Sequence, residues 1–147
     1  MGILKDLLRR KTRGDIVLFH SFNNQDERRA FGGSDFLELQ FCKMKKGTNI
    51  KSIVLTRNIV DWCNDSLYVS GDDTDVFYKQ YKDVFKNGIY NNLKSGDIDF
   101  FGINYYSPEL VEEMIKTIEA NKPEDYAVIL AWLNKAKEFN GVYILGV

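Results

Sequence analysis

The groups that could carry chemistry are few in this sequence, and none stands at the spacing that a catalytic or metal site requires. His20 is the only histidine, and on a strand its neighbour Ser21 points to the opposite side, which argues against a serine–histidine nucleophile. Cys42 and Cys63 are widely separated and, with a single histidine, do not make up the four ligands that zinc requires. The sequence therefore predicts no enzyme, no metal and no cofactor.

The acidic run GDDTD at residues 71–75 raises the question of a calcium site. Counted from Asp73 as the first ligand, Asp75 fits, but Phe77 and Tyr78 then stand where a further ligand and the glycine of a calcium loop belong. Acidic side chains also stabilise the positive end of a helix dipole. We therefore interpret this run as the start of a helix at Thr74 or Asp75.

The net charge of −1 conceals a strong asymmetry along the chain. Residues 1–57 hold twelve basic against six acidic side chains, whereas residues 58–147 hold eight against fifteen. No basic residue occurs between Arg57 and Lys79. Segregated charge of this kind indicates the electrostatic character of a partner rather than the fold.

Bulk properties predict one globular domain without a membrane segment. The chain has 147 residues, of which 44% are hydrophobic and 28% charged. Its longest apolar run, Tyr126–Leu133, is far shorter than the roughly 20 residues of a spanning helix, and its first residues do not follow the order of a signal peptide. Two cysteines are too few for a disulfide framework, so we expect a cytoplasmic protein.

Runs rich in β-branched and aromatic residues predict the strands. The polar stretch Asn23–Asp35 between the first two runs is typical of a loop. Asn58–Val69 is compatible with a helical turn followed by a short strand at its end, and the sequence does not choose between helix and strand there. The predicted strands are Asp15–Phe22, Phe36–Met44, its hairpin partner Ile50–Thr56, Phe100–Tyr106 and Val142–Val147, the last interior to the sheet.

Helical periodicity and capping residues predict the helices. Residues 2–12 have a short amphipathic pattern, and Phe77 begins an apolar stripe on the helix that follows the acidic run. Ser107 before Pro108 is a helix start, and a further helix begins at Pro123. The whole chain, 1–147, is thus predicted to be a single α+β domain, with a mainly antiparallel sheet of five to six strands and three to four helices.

The C-terminal third resembles small bacterial immunity proteins, which accompany polymorphic toxins and contact-dependent growth inhibition toxins. The resemblance is carried by FGINYYSPE at 101–109, KPEDYAVILAWLNKA at 122–136 and NGVYILG at 140–146. It implies a protein that binds and neutralises one cognate toxin domain, often a nuclease, by stoichiometric contact and without catalysis. It transfers no functional residue to a particular position.

Because nucleases present basic clefts, the acidic tract is the predicted partner surface, with neighbouring aromatic residues as anchors. One alternative is that these charges are only solvated. Another is a nucleic-acid or anion-binding module built from the basic N-terminal third, although the acidic remainder opposes it. The predicted partner-binding residues are Asp61, Trp62, Asp65, Tyr68, Asp72, Asp73 and Asp75.

Overall fold

A computed structural model describes residues 16–32 and 35–146, and within them it confirms the α+β class. The amphipathic pattern predicted at residues 2–12 lies outside the described residues. The α-helices are α1 (Gln25–Phe31), α2 (Ile50–Ile53), α3 (Thr74–Tyr81), α4 (Pro108–Asn121) and α5 (Tyr126–Lys135). The strands are β1 (Phe36–Phe41), β2 (Leu67–Ser70), β3 (Gly88–Ile89), β4 (Ser95–Gly96), β5 (Ile103–Tyr106) and β6 (Val142–Leu145), and 3₁₀ turns cover Thr56–Asn58, Gly71–Asp73 and Ala136–Glu138.

The strands form one sheet in the order β2-β1-β6-β5-β3-β4, and all neighbouring pairs are antiparallel. The last strand along the chain, β6, lies between β1 and β5, with Leu39 opposite Ile144 and Tyr105 opposite Tyr143. Its interior position was predicted from its apolar composition and is confirmed. Strand β2 ends the sheet on one side, where residues 16–22 add only an isolated bridge between His20 and Tyr68.

One face of the sheet, here called the helical face, is covered by α3, α4 and α5. Strand alternation points Leu37, Leu39 and Phe41 of β1 into this side, where they join the main apolar core. Phe41 stacks on Trp132 of α5, with ring centroids 4.4 Å apart. Burial of these side chains is the main source of stability, because the hydrophobic effect scales with apolar area removed from water.

The opposite face, here called the loop face, is covered by the irregular segment 42–66 and the single turn of α2. Tyr105 and Tyr143 point to this side and pack with Cys42, Ile53 and Val54 in a smaller cluster. A second small cluster of aromatic side chains lies beside it and contains Phe22, Phe36 and Tyr68, with Trp62 at its edge.

Two segments differ from the predicted elements. Ile50–Thr56 was predicted as the hairpin partner of β1, but it begins with helix α2, because the Asn49 side chain caps the turn by accepting from the Ser52 N–H at 2.9 Å. β1 pairs instead with β2 and β6. The predicted loop 23–35 contains helix α1, which Asn24 caps by accepting from the Glu27 N–H at 2.8 Å. These two short helices raise the number of described α-helices to five.

One predicted strand is wrong and one predicted helix start moves. The described part of Asp15–Phe22 forms no strand, since its bridge to β2 involves His20 alone. The helix predicted from Pro123 begins at Tyr126, because Asp125 adopts a left-handed conformation with φ 59°. In that conformation its carboxylate accepts from the N–H groups of Leu18 and Phe19, which fastens the extended segment to the helix.

The start of α4 is as predicted, and a glycine turn leads into β6. The Ser107 hydroxyl accepts from the Leu110 N–H at 3.3 Å, and Pro108 opens the helix. Gly141 has φ 87°, and a Cβ there would lie 2.2 Å from the Tyr106 carbonyl oxygen, so only glycine fits. Among the residues described, no helix combines the length and apolar character needed to cross a membrane.

Candidate functional site

The acidic residues at the end of β2 form an exposed corner of the molecule. Asp72 and Asp73 lie in the 3₁₀ turn and Asp75 in the first turn of α3; we call these three residues the acidic corner. The Ser70 hydroxyl accepts from the Asp72 N–H at 3.4 Å, and the Thr74 hydroxyl donates to the Gly71 carbonyl at 3.0 Å. These bonds fix the backbone of the turn while its carboxylates remain on the surface.

The carboxylates of the acidic corner make no hydrogen bond or ion pair with any described residue. Asp73 precedes α3 directly, yet its side chain does not cap the helix. Within the described part of the chain no basic group compensates their charge, which the dipole of α3 and solvent stabilise. A surface of this kind attracts positive charge.

Three of the remaining predicted partner residues, Asp61, Trp62 and Asp65, lie before β2 rather than after it. Asp61 is exposed, whereas the Asp65 carboxylate is held 2.7 Å from the Lys43 ammonium group. Trp62 is half-buried at the edge of the aromatic cluster. The four residues of β2, a strand about 13 Å long, stand between these residues and the acidic corner along the chain. Six of the seven predicted residues thus fall into two groups, and the seventh, Tyr68, lies within β2.

Tyr68 is not on the surface. Only 1% of it is exposed, so its ring cannot serve as an anchor for direct contact with a partner. It lies instead on the loop face of β2, where its hydroxyl is 2.7 Å from the Cys63 carbonyl oxygen. The prediction placed it on the exposed side because the sequence could not show that segment 42–66 folds back over this face.

A buried carboxyl group, that of Glu38, organises the polar contacts of the loop face. Its Oε2 accepts from the Ser66 hydroxyl at 2.7 Å, from the Gln40 side-chain amide at 3.1 Å and from the Cys63 N–H at 3.1 Å. The Tyr68 hydroxyl lies 3.2 Å from the same oxygen. The contacts join β1, β2 and the covering segment, so Glu38 fastens the segment to the sheet.

Burial dominates the ionisation of this network. It raises the pKa of Glu38 above the ordinary value, and the hydrogen bonds to its carboxyl group offset this only in part. The pKa of Tyr68 is also raised, first by burial and then by the nearby Glu38 carboxylate. The pKa of the Cys63 thiol rises for the same two reasons, so this cysteine is not an activated nucleophile.

A groove of about 290 Å³ opens beside this network on the loop face. Its walls include Glu38, Asp61 and Arg28, together with the rings of Phe36 and Tyr68. The Arg28 guanidinium carbon lies 5.7 Å from the Phe36 ring centroid and 5.8 Å from that of Tyr68, which are cation–π distances. The groove therefore combines charged groups of both signs with aromatic and aliphatic walls.

Sequence reasoning did not identify Glu38 or Arg28 as site residues. The available signal was the pattern FLELQF, in which Glu38 and Gln40 are polar residues two apart in an otherwise apolar strand. Such spacing places both on one face of the strand and indicates a polar patch inside the sheet. The pattern was used to predict a strand, and no role was assigned to these two polar residues.

The groups first considered for catalysis are not assembled into a site. Cys42 is fully buried, and its Sγ donates to the Tyr143 hydroxyl at 3.6 Å. The His20 ring packs against Phe31, with centroids 4.5 Å apart. Within the described ranges, no group of three or more His, Cys, Asp or Glu side chains could hold a metal ion.

The basic N-terminal third shows few of the ring faces that nucleic-acid bases could stack on. Phe31 is 47% exposed, but the other four aromatic residues of this part are buried. Stacking on aromatic faces supplies much of the affinity for single-stranded nucleic acids. Arg9, Arg10, Lys11 and Arg13 lie outside the described residues. The buried aromatic residues are Phe19, Phe22, Phe36 and Phe41.

Comparison with known proteins gives no match to a protein-family model, a curated protein or a solved structure.

Proposed function

We propose that this protein binds and neutralises a cognate bacterial toxin domain, one with a basic cleft such as a nuclease, by stoichiometric protein–protein contact. The resemblance of its C-terminal third to immunity proteins motivates the proposal, and the acidic corner supports it. Asp72 and Asp75 are exposed and Asp73 between them is half-buried, and none of the three has a basic partner among the described residues. A blocking protein requires such a charged surface on a rigid scaffold, and no catalytic groups of its own.

The acidic corner is expected to act mainly on the rate of association. Exposed charges that complement a partner steer the encounter and are screened by salt, whereas they add little to the strength of the final complex. The corner lies where β2, the edge strand of the sheet, ends and α3 begins, and a basic cleft would be drawn to the exposed carboxylates there. Asp61 adds a further exposed negative charge, but it precedes β2 and is not part of the corner.

The test compares two triple variants that change the net charge equally. In one, Asp72, Asp73 and Asp75 are replaced by asparagine. In the matched control, three exposed glutamates of α4 are replaced by glutamine, and these are Glu112, Glu113 and Glu119. Association with the toxin domain encoded beside the gene of this chain is measured by surface plasmon resonance at low and high salt. The folding of both variants is checked by thermal melting.

We expect the acidic-corner variant to associate about tenfold more slowly at low salt, with a flatter dependence on salt, because steering commonly contributes a factor of this order or more. The glutamine control should associate like the unmodified chain. Equal slowing of both variants would show that only net charge matters and would contradict the role of the corner. Failure of the chain to bind this toxin domain, and to restore growth on co-expression with it, would refute the proposed function.

A further inference from the structure

The groove on the loop face contains an unused acceptor on a buried carboxyl group. All the hydrogen bonds to the Glu38 side chain converge on Oε2, and Oε1 accepts none from the described residues. Oε1 is also not among the fully enclosed polar atoms that lack a partner, so it retains some exposure, and Glu38 lines the groove. Glu38 as a whole is only 7% exposed, and its carboxyl group is held firmly in place.

A carboxylate oxygen can accept two hydrogen bonds, and a buried charge without a partner is costly. The energetically favourable occupant of this position is therefore a cationic donor. Asp61 lies in the wall of the same groove, so two carboxyl groups face one guanidinium group, that of Arg28. The balance of charge in the groove favours a second cation.

The guanidinium group of Arg28 does not form an ion pair with the Glu38 carboxyl group. No oxygen of any described acidic side chain lies within ion-pair distance of its guanidinium group, and its enclosed Nε has no hydrogen-bond partner. The group rests instead against the rings of Phe36 and Tyr68. The position of Arg28 shows that these ring faces accommodate a guanidinium group, while no described basic side chain pairs with the carboxyl groups of Glu38 and Asp61.

We propose that this groove receives the side chain of a lysine or arginine of the partner protein. Its cationic head would contact Oε1 of Glu38 and the carboxylate of Asp61, and its aliphatic stem would lie along Ile59 and Val60. A groove of about 290 Å³ is at the small end for drug-sized ligands but suits one long side chain. The proposed function supplies only the source of the cation, a basic toxin surface, and the preference of the groove can be measured without the toxin.

The test titrates the full chain with ethylguanidinium chloride, and in parallel with sodium chloride and sodium acetate at equal ionic strength, followed by ¹H–¹⁵N NMR. The Cys63 N–H and the side-chain amide of Gln40 both donate to Glu38 and therefore report on its carboxyl group. We expect saturable shifts of these two signals with ethylguanidinium alone. The expected Kd is in the millimolar range, that is, roughly 4 kcal/mol of binding for a small probe.

Four variants locate the probe. Glu38→Gln should abolish the saturable shifts, and Asp61→Asn should weaken binding severalfold. Asp83→Asn changes the charge equally but lies outside both the groove and the acidic corner, so it should leave binding unchanged. Arg28→Gln removes the competing cation and should strengthen binding. If Glu38→Gln does not fold, the contrast between Asp61→Asn and Asp83→Asn decides.

Three results would overturn the proposal. These are the absence of saturable shifts with ethylguanidinium, equal binding by Glu38→Gln or by both aspartate variants, and saturable binding of acetate that Arg28→Gln removes. The last result would identify an anion site. None of these results would affect toxin association through the acidic corner, and loss of toxin association would not alter the probe titration. The two proposals can therefore fail separately.

Discussion

The two faces of the sheet are built from alternate residues of the same strands, yet they differ in what they bury. On the helical face, Leu37, Leu39 and Phe41 meet the apolar sides of three helices. On the loop face, the intervening residues Glu38 and Gln40 meet a segment of mostly irregular backbone and bond to it. The hydrophobic effect does not depend on the orientation of the buried groups. Buried polar groups, in contrast, each require a hydrogen-bond partner at the right distance and angle.

Alternate residues of β1 therefore serve different purposes: those on the helical face stabilise the fold, and those on the loop face can contribute to binding. The helical face buries Leu37, Leu39 and Phe41 in the main apolar core, while the loop face retains the groove and the Glu38 oxygen that accepts no hydrogen bond from the described residues. A covering segment with little regular structure cannot close as tightly as packed helices, because its own backbone groups also need partners. The loop face is therefore where we expect contact with other molecules.

The largest loss of stability is expected when a buried apolar side chain of the helical face is shortened. Leu39 is fully buried there, so Leu39→Ala should lower the free energy of unfolding by about 2–5 kcal/mol. Leu55 lies in the segment that covers the loop face and is 39% exposed, so Leu55→Ala should cost less than about 1 kcal/mol. Urea unfolding followed by circular dichroism measures both. Similar losses from the two substitutions would show that the loop face is as tightly packed as the helical face.

Sequence patterns predicted the helical face well, because its signals are local. The cap at Ser107 and the stripe of α4 place the helix and its buried side without reference to the rest of the chain. The apolar run of β6 likewise indicates an interior strand, and the structure places it between β1 and β5. Capping and periodicity depend on neighbours within a few residues, which a single sequence displays.

The loop face could not be predicted in the same way, since it depends on how a long connection folds back. Ile50–Ile53 has the β-branched composition of a strand, but Asn49 caps it as a helix and β1 already has two neighbours. Because β2 and β6 already pair with β1, the strand propensity of Ile50–Ile53 does not decide its structure. For the same reason Tyr68 was predicted on the surface and Glu38 was overlooked. Of the two aromatic residues predicted at the partner surface, Tyr68 is buried and Trp62 is half-buried, and the role of the acidic corner stays a prediction.

An effect of intermediate size is expected from the pH dependence of stability. The loop face buries the carboxyl group of Glu38, whereas the helical face buries apolar side chains. The pKa of this carboxyl group is raised above 4.5 in the folded chain, so the native state holds this proton more tightly than the unfolded state. The resulting stabilisation is complete below pH 4.5 and is lost as the pH rises through the raised pKa. Glu38→Gln cannot titrate, so its stability relative to the unmodified chain should improve from acidic to neutral pH.

Urea unfolding of both proteins at a series of pH values measures this difference directly. Other titrating groups are common to the two proteins and cancel in the comparison. Leu39→Ala serves as a control, since it should lower stability by an amount that does not vary with pH. A stability difference between Glu38→Gln and the unmodified chain that stays constant, or that moves in the opposite direction, would contradict burial as the dominant influence on Glu38.

The smallest effect is expected from the ion pair between Lys43 and Asp65, which joins the residues just after β1 to those just before β2. Its atoms are 2.7 Å apart, but half of the Lys43 side chain is exposed, so solvent weakens the attraction. A double-mutant cycle with Lys43→Met and Asp65→Asn should give a coupling energy of about 0.2–1 kcal/mol, typical of exposed pairs. About 1 M salt should reduce this coupling, because the screening length is then only about 3 Å. Coupling well above this range, or insensitive to salt, would mean that the pair behaves as a buried one and that the loop face is closed more firmly than its groove indicates.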